Sequence, residues 1–94
     1  MFGNLVKAVV DVERGVMAVD AELHADEEAF LLEQGSQQMN LWGINLYPEL
    51  FGDDFVEFDS MINLRPGQGN RSRGVDDAAT REKILYVVRN LVVI

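Results

Sequence analysis

Apolar and polar residues alternate on both sides of Arg14-Gly15. With those two residues as a loop, Val12 faces Met17, Val10 faces Val19, Ala8 faces Ala21 and Val6 faces Leu23, and one face of the pair is wholly apolar. The other face sets Glu13 against Val16, Asp11 against Ala18, Val9 against Asp20 and Lys7 against Glu22. One register satisfies a period of two on both strands, which predicts a β-hairpin over residues 6–23. Arg-Gly is a less usual two-residue turn than Asn-Gly, so a bulged loop is the alternative.

Asp26 to Glu33 is rich in helix formers, with Asp26 as a cap and Gly35 as a stop. A strand over Ala29–Glu33 competes with that helix. Leu41 to Tyr47 reads as a strand with Trp42, Ile44 and Leu46 on one face, ended by Pro48. Phe55 to Leu64 reads as a further strand, with Val56, Phe58, Ile62 and Leu64 on one face. A last helix is capped by Asp76 and carries the stripe Ile84, Val87, Val88 and Leu91. The order β-β-α-β-β-α predicts an α+β fold: two layers, a four-stranded antiparallel sheet with two helices on its apolar face.

Ninety-four residues make a single domain, 1–94, with one modest core. The absence of cysteine removes disulfides and thiolate chemistry. No signal-peptide pattern opens the chain, and the longest apolar run, Leu91-Val92-Val93-Ile94, is too short for a bilayer span. A cytoplasmic protein without a membrane partner is the expectation. The net charge of −8 is unevenly spread. Residues 1–60 hold thirteen acids against Lys7 and Arg14, a balance of −11, and residues 61–94 carry +3. Such a molecule repels nucleic acid at long range, so nucleic acid is not expected as a partner.

Against that background, residues 65–74 stand out. Arg65, Arg71 and Arg73 lie among three glycines with no acid, between a predicted strand and a predicted helix. Glycines let a backbone approach a ligand, and arginines grip phosphate or carboxylate. Asn70 and Ser72 add neutral donors. The nucleotide fingerprints fail: there is no third glycine for a dinucleotide loop and no Gly-Lys-Ser/Thr for a phosphate loop. Arg65, Asn70, Arg71, Ser72 and Arg73 are therefore candidate ligands for a small anion, with no cofactor implied. The alternative is that these arginines pair with acids of the same domain, such as Asp11, Glu13, Glu57 and Asp59.

Two further groups carry chemistry. The lone histidine, His24, is flanked by Glu22 and Asp26, residues suited to a metal-dependent hydrolase or nuclease or to a general base. Spacing alone assigns no metal ligands there, and a histidine bonded to backbone at a strand end is the plainer expectation. Asp11, Glu13, Asp20, Glu22, Glu57 and Asp59 form an acid-rich sheet face, for which a solvated outer surface is the plain alternative to acid–base work. Trp42 is expected in the core. The apolar end 91–94 suggests docking on a partner subunit, so a homo-oligomer built through the last helix or an exposed sheet is a third reading.

The segments Val10-Asp11-Val12-Glu13-Arg14, Glu22-Leu23-His24-Ala25-Asp26, Leu41-Trp42-Gly43 with Tyr47-Pro48, and Ile62-Asn63-Leu64-Arg65-Pro66 with Gln68-Gly69-Asn70-Arg71-Ser72 cover nearly the whole chain. On them the chain resembles a small bacterial and archaeal family of uncharacterised proteins, a domain of unknown function. That resemblance implies no activity. It implies an extra N-terminal helical segment in most members, a pattern from which a chain starting this close to its first strand is expected to depart.

Overall fold

The computed structural model describes residues 5–19, 21–50 and 52–91, with Asp53 as backbone alone. Four strands, β1 (Val6–Asp11), β2 (Val16–Val19), β3 (Leu41–Leu46) and β4 (Val56–Glu57), and two helices, α1 (His24–Glu33) and α2 (Ala78–Leu91), follow the order β-β-α-β-β-α. The sheet runs β2-β1-β3-β4 and is antiparallel throughout. This is the expected α+β fold. Among the described residues no helix is long and apolar enough to cross a membrane.

The layering differs from expectation. Ala8, Val10, Trp42, Ile44, Leu46 and Val56 pack with Ile84, Val87 and Val88 of α2. Val9 and Leu41, on the opposite face, pack with Leu31 of α1. Each helix therefore covers its own face, and the sheet is the middle of three layers. The cause is β1, whose residues Ala8 to Asp11 are fully buried. A strand buried on both sides needs a continuous apolar run rather than alternation, and Ala8-Val9-Val10 is one. Ile84, Val87 and Val88 each contribute about 2 kcal/mol by burial. Leu91, expected in that stripe, is exposed. Val92-Val93-Ile94 fall outside the described residues, as do Asp20 and Phe51.

The first hairpin also shifts. Val10 pairs with Met17 and Ala8 with Val19, so the loop holds four residues, 12–15, rather than two. Asp11 is the reason. Its Oδ1 accepts from the amides of Glu13 and Arg14, both at 2.9 Å, and draws the chain into a wider turn that Gly15 closes at φ +68°. A shift of two keeps every side chain on its face. It also buries Asp11, which the sequence placed on a solvated acid face.

The fourth predicted strand, 55–64, survives only at Val56–Glu57. Ser60 Oγ accepts from the Ile62 amide and turns Met61–Asn63 into a short 3-10 helix. The chain then crosses β3 at Gly43, which lacks the Cβ that Ser60 would strike. Phe58 consequently joins the α2 core while Ile62 joins the α1 core, and Leu64 is exposed.

Helix α1 is a helix, not a strand, and starts two residues before Asp26, which is exposed and does not cap it. It ends as expected: Gly35 at φ +99° lets the Ser36 amide reach Leu31 O and the Gly35 amide reach Leu32 O. Helix α2 is capped by Asp77 rather than Asp76, its Oδ2 accepting from the Thr80 amide at 2.9 Å and the Thr80 hydroxyl at 2.7 Å.

Candidate functional site

The α1 face of the sheet is apolar at one end and polar at the other. Val9 and Leu41 fill the apolar end. At the polar end the register aligns Lys7 of β1, Asn45 of β3 and Glu57 of β4 in one row across three strands. His24, in the first turn of α1, overhangs this row, and Asp59 and Arg73 close it from the chain after β4 and from the 65–74 loop. The result is a cleft of about 570 Å³, within the usual range for small-molecule sites. Leu5, Leu23 and Met61 form an apolar rim.

The row is wired by hydrogen bonds. Asn45 Nδ2 donates to Glu57 Oε1 at 2.9 Å and to the Asp59 carbonyl at 3.3 Å. Tyr47 Oη donates to the same Glu57 oxygen at 2.8 Å, and that bond raises the Tyr47 phenol above its ordinary pKa. Asn45 is 7% exposed, and its Oδ1 is buried with no donor among the described residues. An unmet buried acceptor costs about 1–3 kcal/mol. Arg73 Nε meets Asp59 Oδ1 at 2.8 Å. Among the described residues Lys7 has no ion-pair partner.

His24 Nε2 lies 2.7 Å from the Ile44 carbonyl. A carbonyl only accepts, so Nε2 carries the hydrogen and Nδ1 of the neutral ring keeps a lone pair. Burial first, and the charge of Lys7 to a lesser degree, push the imidazole below its ordinary 6.5, against the opposing pull of the Ile44 carbonyl. The ring is therefore neutral at pH 7. The expected bond to backbone is present, and the flanking acids are not part of the cleft: Glu22 and Asp26 are both exposed and do not line it. Among the described residues no three metal-ligating side chains converge.

The loop at 65–74 divides its candidates. Arg65 turns inward: its guanidinium lies 4.9 Å from the Trp42 ring centroid, donates to the carbonyls of Ile62 and Leu41, and sits 3.7 Å from Glu28. Asn70, 4% exposed, donates to the carbonyls of Asn63, Ser72 and Gly74 and accepts from the Asp76 amide. The donors that suit an anion already hold one of the chain's own. Arg71 N and Ser72 Oγ reach the Asp76 carboxylate at 2.8 and 2.6 Å. Arg71 is exposed, and its side chain has no partner among the described residues. Of the five loop candidates only Arg73 lines the cleft.

The Ser72 hydroxyl, then the Arg71 amide, hold the Asp76 carboxyl below its ordinary 3.8, and the Thr80 hydroxyl does the same for Asp77. A depressed acid stabilises the fold above its unfolded pKa and loses that contribution as pH falls through the folded value. For His24 the folded form disfavours the proton, so its contribution is complete above 6.5 and declines as pH falls below it. Urea midpoints are therefore expected to fall in two stages on acidification, one starting near pH 6.5 and one below pH 4. Asp76→Asn should flatten only the second stage.

Sequence patterns missed Lys7, Asn45 and Tyr47 as site residues and put Glu57 on a broad acid-rich sheet face. Only strand register brings them together. One usable signal was present: Gly43 and Asn45 face away from Trp42, Ile44 and Leu46, and a polar amide on the inner face of a central strand is unusual.

No curated protein and no solved structure matches the chain. A family model does, described as protein of unknown function (DUF5674) and matching residues 1–91. With 91 of its 94 residues so covered, the chain belongs to this family of unknown function, DUF5674.

Proposed function

We propose that this domain binds a small anionic ligand and that the site is the cleft between the start of α1 and residues 57–62. Arg73 is the contribution of the glycine–arginine loop, and Lys7 is the second cation. The observation that carries this reading is the pair of cations on the walls of one cleft, Lys7 with no ion-pair partner among the described residues and Arg73 paired with Asp59 through Nε. Asp59 engages Arg73 through Nε, which leaves the two terminal nitrogens of the guanidinium for a carboxylate or phosphate. The role we assign is binding, with the neutral His24 offering the ligand an accepting ring nitrogen.

Calorimetric titration with propionate and with inorganic phosphate tests this. Arg73→Ala and Lys7→Ala are each expected to weaken binding about tenfold, equivalent to about 1.4 kcal/mol, while Arg71→Ala leaves it unchanged. Loss of binding in Arg71→Ala alone would place the ligand on the loop tip instead.

A further inference from the structure

We infer that the ligand of this cleft is a zwitterion, a free α-amino acid with an apolar side chain. This rests on the reading of the cleft as an anion site and adds a second pole to it.

The first observation is the charge of the walls. Lys7 and Arg73 are matched by Glu57 and Asp59, in a molecule whose net charge is −8. A simple anion gains from the two cations and loses to the two carboxylates. A ligand carrying both signs gains from all four.

The second observation is the way Glu57 is held. Both of its donors, Asn45 Nδ2 and Tyr47 Oη, bond Oε1. That fixes the carboxylate and leaves Oε2 without a partner among the described residues. Asn45 Oδ1 lacks a donor as well, and His24 Nδ1 retains its lone pair. All three residues line the cleft, and an ammonium group supplies three donors to acceptors of this kind. Lys7 and Glu57 flank Asn45 in the cross-strand row, two strand spacings or about 9.5 Å apart along the sheet. Lysine and glutamate side chains are long enough to reach over Asn45 toward a ligand that carries a carboxylate and an ammonium.

The third observation is the rim. Leu23 and Met61 are 56% and 63% exposed, and Leu5 is 41% exposed. These residues border the cleft. They offer contact to an aliphatic side chain, and nothing to a bare anion.

Three probes of one carbon skeleton separate the poles: L-leucine, 4-methylpentanoate without the ammonium, and 3-methylbutylamine without the carboxylate. Leucine is expected to bind at least tenfold more tightly than either. Glu57→Gln keeps an acceptor for Asn45 and Tyr47, and is expected to weaken leucine about tenfold while leaving 4-methylpentanoate within twofold. Circular dichroism confirms that this variant is folded. Equal affinity of leucine and 4-methylpentanoate would overturn the zwitterion and leave the anion site standing. Binding of the amine alone would overturn both, as would the absence of binding by all three.

Discussion

Asn63→Ala is expected to destabilise the domain by about 3 kcal/mol or more, one of the largest effects of any single substitution. Asn63 is fully buried. Its Oδ1 accepts from the Gly43 amide at 2.8 Å, and its Nδ2 donates to the Gly43 carbonyl at 3.0 Å and the Arg73 carbonyl at 2.9 Å. The carboxamide thus pairs with Gly43 as a neighbouring strand would, at the edge of β3 that β4 is too short to cover. Alanine leaves the Gly43 amide and carbonyl unmet, each costing about 1–3 kcal/mol when buried, while the Arg73 carbonyl keeps its bond from the Ser60 amide. Against a total stability of roughly 5–15 kcal/mol for a domain, that is a large fraction. Urea unfolding followed by tryptophan fluorescence measures it, since Trp42 lies beside Gly43. A loss below 0.5 kcal/mol would show that water replaces the carboxamide.

Gly43→Ala is expected to cost a comparable amount, about 3 kcal/mol, by a different route. A Cβ at Gly43 would stand 2.6 Å from Ser60 Cβ and 3.2 Å from Ile62 Cγ1. Replacing a strand glycine by alanine ordinarily helps by restricting the unfolded chain, by about 0.4–1 kcal/mol. Here the obstacle is a Cβ fixed to a pinned backbone. Ser60 N donates to Arg73 O at 2.9 Å and Ser60 O accepts from Asn63 N at 3.1 Å. Overpacking of this kind costs about 1–3 kcal/mol, and the upper end is expected because the backbone is tied at both sides. The double variant Gly43→Ala with Ser60→Gly is expected to recover part of the loss. Strict additivity of the two changes would remove the steric explanation.

Both residues belong to the part of the fold that local pattern did not disclose. The alternation at Trp42, Ile44 and Leu46 and the stripe at Ile84, Val87 and Val88 are set by burial on one face, so period alone found them. Residues 58–63 look equally alternating, yet a side-chain amide, not a strand, completes the edge of β3. The hairpin register turned on one Asp11 carboxylate bonding its own loop. The layering turned on Val9, an apolar residue that the alternation assigned to a polar face.

The site follows the same division. Composition marked the glycine–arginine loop, because charge and glycine content are local properties. Where each arginine points is not local: Arg65 is drawn to Trp42, twenty-three positions away in sequence, and Arg73 to Asp59. The Arg71 amide and the Ser72 hydroxyl are occupied by Asp76, a residue that the sequence assigned to helix capping. Lys7, Asn45 and Glu57 lie in three separate strands, and no spacing rule connects them before the register is known.

The location of the ligand is the central claim, and amide spectra of the 15N-labelled domain titrated with propionate test it most directly. Saturable shifts at the backbone amides of Lys7, Glu57 and Arg73 and at the Asn45 side-chain amide are the expected result. Saturable shifts confined to residues 67–72, with the Asn45 side chain unmoved, would contradict it.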